Sequence, residues 1–137
     1  MVTDTGGIDD RSFNASAWAG MQAAKTAQSN VDPKYVASTA QEDYEPNLRA
    51  FVTQKCKFIL AVGGLMGDAT KKVAAENTSQ QFAIVDAAIP GASNVYPMQF
   101  ATDEAAFLAG YLSAGYSKSG KVATYGGLKI PPVTVFM

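Results

Sequence analysis

Lys57-Phe58-Ile59-Leu60-Ala61-Val62-Gly63-Gly64 is the stretch that sets the fold class. Its apolar run has no polar alternation, so both faces must be covered, and it is short for a helix. A glycine pair ends it. Gln81-Phe82-Ala83-Ile84-Val85-Asp86 repeats the pattern and ends in a carboxylate. Outward from these two, Lys34-Tyr35-Val36-Ala37-Ser38 reads as a shorter strand. Val95-Tyr96-Pro97-Met98-Gln99-Phe100 reads as a weaker one, which Pro97 assigns to a sheet edge or a bulge. Lys121-Val122-Ala123-Thr124-Tyr125 reads as a closing strand before Gly126-Gly127, and residues 1–4 as the stub of a first strand.

Helical spacing fills the gaps. Ser12 is the expected N-cap of a helix carrying Phe13, Ala17, Trp18, Met21, Ala24 and Ala27. Pro46 suits the first turn of a second, with Leu48, Phe51 and Val52 inward. A third covers Gly67 to Glu76, with Asp68 in its first turn and Val73 and Ala74 inward. A fourth begins near Thr102-Asp103-Glu104 and carries Phe107, Leu108, Tyr111 and Leu112. Strand and helix alternate throughout, which predicts an α/β fold: three layers, a doubly wound and mostly parallel sheet, right-handed crossovers.

A length of 137 residues, 47% hydrophobic, supports one domain with a real core and falls short of two full ones. Lys and Arg number 11 against 12 acids, and a net charge of −1 offers no basic face to nucleic acid. The absence of histidine removes the commonest general base and zinc ligand. Cys56, the single cysteine, allows no disulfide within the chain and no cysteine metal site. It reads as a packed thiol at a strand start, with a reactive thiol as the minor reading. No run of about 18 apolar residues occurs that would span a membrane. Residues 1–4 lack the basic and apolar regions of a leader, as an exported protein that has lost its leader also would.

In open α/β sheets ligands bind outside the carboxyl ends of the strands, near the switch in strand order. Asp4, Gly63-Gly64, Asp86 and Gly126-Gly127 occupy those ends. Carboxylates there can accept hydrogen bonds from a ligand's hydroxyls, and glycines let backbone approach. Each also has a plainer reading: Asp4 in the Thr5-Gly6-Gly7 turn, Asp86 capping a loop, the glycines in turns.

The most specific stretch is Thr3-Asp4-Thr5-Gly6-Gly7-Ile8-Asp9-Asp10-Arg11-Ser12-Phe13-Asn14. A glycine-bearing loop feeds a helix start, as in phosphate sites, but the fingerprints of those sites are missing and the acids oppose an anion. A Ca²⁺ or Mg²⁺ site at Asp9-Asp10 would need further oxygen ligands at a spacing that is not evident. The two acids fit better as partners of the loop and of the positive helix end. Phe13 and Asn14 offer an aromatic face and an amide, the two things a nucleobase requires, with core packing as the other reading of Phe13. Trp18 reads as core.

This stretch, with Trp18 and Gly20, resembles the start of the basic membrane protein family, the PnrA-like substrate-binding lipoproteins of ABC transporters. Further matches are Asp43-Tyr44-Glu45-Pro46-Asn47, Phe82-Ala83-Ile84-Val85-Asp86, Glu104-Ala105-Ala106-Phe107-Leu108-Ala109-Gly110-Tyr111-Leu112 and Gly126-Gly127 with Ile130-Pro131-Pro132-Val133. The resemblance implies one lobe of a type I periplasmic-binding-protein fold, a non-enzymatic role, no cofactor or metal, and a purine nucleoside (adenosine, guanosine or inosine type) as ligand. It puts base stacking on Phe13, the base edge on Asn14, and ribose hydroxyls on Asp86, with Asp4 the second carboxylate. Gly63, Gly64, Gly126 and Gly127 are expected as backbone or hinge positions.

It also implies a permease partner and an extracytoplasmic lipoprotein whose leader and lipidated cysteine lie outside this chain. Family members are about twice as long, so residues 1–127 are expected to be an N-terminal lobe and residues 128–137 the start of a crossover to a second. A sensor or interaction module of the same fold is the alternative, with self-association through the hinge edge. A nucleoside-processing enzyme is the weaker alternative.

Overall fold

The structure is a computed structural model and describes residues 1–137. The chain packs as two compact units, Met1–Met98 and Gln99–Met137.

The first unit is built on a parallel sheet of β1 (Phe58–Val62), β2 (Gln81–Val85) and β3 (Val95–Met98), in that order. Val2 lies beside β1, bridging Ala61 on one side and Val36 on the other. Four backbone bonds hold this stub: Val2 N–H to Leu60 O (2.8 Å), Val62 N–H to Val2 O (3.1 Å), Val36 N–H to Met1 O (3.0 Å) and Thr3 N–H to Val36 O (3.1 Å). Across the sheet the segments run second, first, third, fourth, fifth in chain order. That is a doubly wound order, and its reversal falls between the stub and β1.

Side-chain alternation splits the core in two. Ile59, Ala61, Phe82 and Ile84 pack with Tyr44, Leu48 and Phe51 of α2 (Tyr44–Thr53) and with Met66, Val73 and Ala74 of α3 (Gly67–Glu76). Leu60, Val62 and Ala83 face the other way, toward Ala17, Trp18 and Met21 of α1 (Phe13–Ala27). Helices on both faces explain why β1 and β2 are apolar without alternation. Each fully buried aliphatic chain here contributes about 1.5–3 kcal/mol.

Local chemistry fixes the helix ends. Ser12 occupies the N-cap position of α1, but its hydroxyl makes no capping bond. Asp10 caps instead: Oδ1 accepts from the N–H of Ser12 (2.8 Å) and Ala15 (3.0 Å), and Oδ2 from Asn14 N–H (2.9 Å). Arg11 enters the left-handed region (φ 53°) between Asp10 and the helix. At the far end of α3, Asn94 Nδ2 donates to the carbonyls of Ala74, Asn77 and Gln80, each at 3.1 Å. Arg49 joins α2 to α3 through Glu45 and Glu76, and Lys72 adds a second bond to Glu45 at 2.9 Å.

Three expected strands differ. Residues 34–38 reduce to the single bridge at Val36, because the only neighbour is a stub that offers one residue to pair with. The strand expected over residues 95–100 stops at Met98; it is an edge strand, as Pro97 requires. Residues 121–125 form no strand. The first of them bonds locally instead: Lys121 O accepts from Ser117 Oγ (2.9 Å), and Lys121 N–H donates to Ser119 Oγ (3.3 Å).

The second unit contains α4 (Thr102–Tyr116), with Asp103 and Glu104 in its first turn, and α5 (Pro131–Phe136), with proline at its start. Phe107 and Tyr111, one turn apart, stack at 6.2 Å between ring centroids. No helix is long and apolar enough to cross a membrane.

Candidate functional site

Register brings three of the expected residues into line. Val2 pairs with Ala61, and Val62 with Val85. Two steps on from Val2 and one on from Val62, Asp4, Gly63 and Asp86 follow each other across the carboxyl edge of the sheet. At roughly 4.8 Å per strand, the two aspartates stand on the order of 10 Å apart with glycine between them. They flank the reversal in strand order, where open α/β sheets place their ligands.

Gly63 donates its N–H to Val85 O (3.2 Å) and adopts φ 107°, a region that L side chains avoid. A Cβ there would stand 2.9 Å from Asp4 Oδ2. Glycine is therefore required twice, by conformation and by the carboxylate over it. Gly64 opens a short 3₁₀ turn, Gly64–Met66, that leads into α3.

Asp4 is held from one side. Its Oδ1 accepts from Gly6 N–H (3.0 Å) and from Asn14 Nδ2 (2.7 Å). Thr3, itself buried, donates its hydroxyl to Asp4 O (2.8 Å) and accepts from Ser38 N–H (3.3 Å), tying this strand end to its neighbour. Asp86 takes φ 62° and donates its N–H to Met98 O (2.8 Å). Its carboxyl is partly desolvated, and that burial pushes its pKa up.

Phe13 is the first residue of α1 and is 44% exposed, whereas Asn14 beside it is 1% exposed. Asn14 Oδ1 is buried without a hydrogen-bond partner. Asp4, Asn14, Gly63 and Asp86 thus share one edge, and Phe13 stands at the helix start that Asn14 ties to it. Gly126 and Gly127 differ from expectation: with no strand at residues 121–125, they close none. A Cβ on Gly126 would meet Val133 and Met137, so that glycine serves the packing of α5.

One feature was half read in the sequence and another was missed: Asp10 was expected to serve the positive helix end, but not in place of Ser12. Asp10, not Ser12, is the cap. Partial desolvation works against its charge, but the N–H groups of Ala15, Asn14 and Ser12 and the Asn14 side chain hold its carboxyl below the usual range. The signal was an aspartate two residues before the N-cap position. The Asn14–Asp4 bond had no sequence signal, because it depends on how loop 4–14 closes. Chemically, the edge offers hydrogen-bond acceptors beside an aromatic ring, which suits a hydroxyl-bearing ligand with a flat apolar part.

The chain is similar to known proteins. The family model described as ABC transporter substrate-binding protein PnrA-like matches residues 1–137. A CD4+ T-cell-stimulating antigen of Listeria monocytogenes is 38% identical over 133 residues, covering 94% of this chain and 37% of that protein. The ABC transporter nucleoside-binding protein BmpA of Lactococcus lactis is 34% identical, covering 99% and 40%. The chain therefore spans about two fifths of the length of these curated relatives. A solved solute-binding protein of an ABC transporter system from Aeropyrum pernix K1 superposes with TM-score 0.77 at 28% identity, over 98% of this chain and 39% of that one. With the doubly wound order and these matches, the chain belongs to the PnrA-like family of ABC transporter substrate-binding proteins.

Proposed function

We propose that this chain forms one wall of a cleft that captures purine nucleosides outside the cytoplasm for an ABC transporter. The carrying observation is the line Asp4–Gly63–Asp86 at the reversal in strand order, with two carboxylates spaced for a sugar-sized group. Phe13 at the adjacent helix start supplies the ring on which a base stacks, and a nucleoside-binding relative supports the ligand class. Asp86 accepts from ribose hydroxyls. Residues 1–127 correspond to an N-terminal lobe, and residues 128–137 to the start of a crossover toward a second. In the whole protein a lipid anchor holds the receptor at the membrane, where a permease receives the ligand. The reaction is binding and release, without chemistry on the ligand.

A pocket of this kind encloses 70–90% of its ligand, and one wall encloses much less. A fall from micromolar to millimolar affinity, about 4 kcal/mol, is expected for this chain alone. NMR titration with adenosine, guanosine and inosine, beside free ribose as a control, tests this. Millimolar binding of nucleosides, with Phe13→Ala and Asp86→Asn each weakening it, supports the reading. Ribose binding as tightly as the nucleosides, or sub-micromolar binding by this chain, overturns it. Release of free base, followed by chromatography, would point to an enzyme instead.

A further inference from the structure

We propose that residues 99–137 are an interaction surface for the part of the longer family protein that this chain does not span. Residues 121–125 join a second parallel sheet built mostly from that part, and α4 and α5 pack on it. This rests on the two-lobe reading, and it moves the boundary of the first lobe from residue 127 to Met98.

Three observations carry it. First, the second unit has no core of its own: none of residues 99–137 is buried. Charged residues of α4 occur only in its first turn, and Phe107, Leu108, Tyr111 and Leu112 are each at least 67% exposed. The only other helix of this unit is the six-residue α5. A helix this apolar is normally covered by a larger structure.

Second, Val122, Thr124 and Tyr125 suit a strand, and the first sheet has no place for one. Asn94 O accepts from Phe82 N–H (2.9 Å) and Met98 O from Asp86 N–H (2.8 Å), so alternation turns Pro97 toward the open side of β3. Pro97 offers no N–H there, which is how proline closes an edge. The opposite edge is the one-residue bridge at Val36. A strand at residues 121–125 therefore needs a different sheet. α5 folds back on the end of this segment, since a Cβ on Gly126 would meet Val133 and Met137. Strand, turn and covering helix in that order are a unit of a parallel α/β sheet. Third, the relatives have the length for such a sheet. The Aeropyrum pernix protein superposes over 98% of this chain, which spans 39% of that one, so roughly three fifths of it lies outside the match. A second copy of this chain would bring another uncovered segment and no open sheet to receive it.

Hydrogen exchange tests this in two proteins: this chain, and a chimera that continues past Met137 with the residues following the match in the Lactococcus lactis relative. In this chain the amides of α4 and of residues 121–125 should exchange fast while those of β1 and β2 stay slow. In the chimera both segments should slow at least about a hundredfold. Fast exchange that persists in the chimera overturns the proposal. Slow exchange of α4 in this chain overturns it too, and light scattering then shows whether the first unit (a monomer) or a second copy (a dimer) covers the helix. A variant of this chain gives an independent reading. Ala109→Pro breaks the interior of α4, and Trp18, the sole tryptophan, reports on the first unit by its fluorescence. The urea midpoint seen by Trp18 should be the same in the parent and in Ala109→Pro. A lower midpoint in the variant puts α4 in the first lobe and sinks the proposal. Inosine titrated into the chimera separates the two readings: failure to bind counts against the nucleoside site alone, and the exchange of α4 still decides the boundary.

Discussion

Asp86 and Gly63 show what single residues decide. Burial raises the Asp86 pKa, so the folded chain holds that proton more tightly than the unfolded one. Its charged form opposes folding at neutral pH, and this penalty disappears as pH falls through the raised value. Ligand binding through the ionised carboxylate has the opposite sense. Nucleoside affinity is expected to hold at neutral pH and to decline on acidification sooner than an ordinary aspartate, near pH 4, would dictate. Titrations across pH check this, and Asp86→Asn should lower affinity and flatten the profile. At Gly63, alanine must adopt φ 107° and crowd Asp4 Oδ2. Gly63→Ala is expected to cost about 1–3 kcal/mol in urea unfolding and to displace the carboxylate. The position of both residues was legible, because apolar runs end visibly at a glycine or an acid. The left-handed backbone at Asp86 was not, since aspartate takes that conformation only where its neighbours impose it.

At the scale of elements, α1 depends on a cap that lies outside it. Asp10→Ala removes the acceptor of three backbone N–H groups and is expected to cost about 1–2 kcal/mol in urea unfolding. The folded pKa of Asp10 is lowered, so its contribution is full above the unfolded value near 4 and is lost as pH falls through the folded one. Asp10→Asn should show less of that acid-side loss than the parent. α3 and β1 were legible because a glycine, a first-turn acid and an unbroken apolar run mark them locally. Residues 34–38 and 121–125 have equally suitable side chains, but a strand exists only where a neighbour pairs with its backbone. Ser12 looked like the cap on composition, and only the turn at Arg11 puts Asp10 within reach of the helix N–H groups.

At the scale of the molecule, the sheet order explains why the proposed site draws on residues as distant in sequence as Asp4 and Asp86. The class of fold was readable from the alternation of periods, and the order was not, because it is written in bridges of one residue each at Val2. Those bridges have a kinetic consequence. The segment carrying Asp4 is clasped by four backbone N–H···O bonds, by the terminal ammonium of Met1 on Lys34 O and by Ser38 N–H on the Thr3 hydroxyl, while β1, β2 and β3 pair among themselves without it. It can peel away and leave the rest of the sheet intact, erasing half of the proposed binding edge in a partial opening. Ligand bound to Asp4 would have to be released first. Native-state hydrogen exchange should therefore show the amides of Val2, Thr3, Val36 and Val62 slowing together when nucleoside is added, with those inside β2 unchanged. On that account, bound ligand latches the seam around Val2, and the proposed binding edge comes apart like a zipper only once the ligand has left.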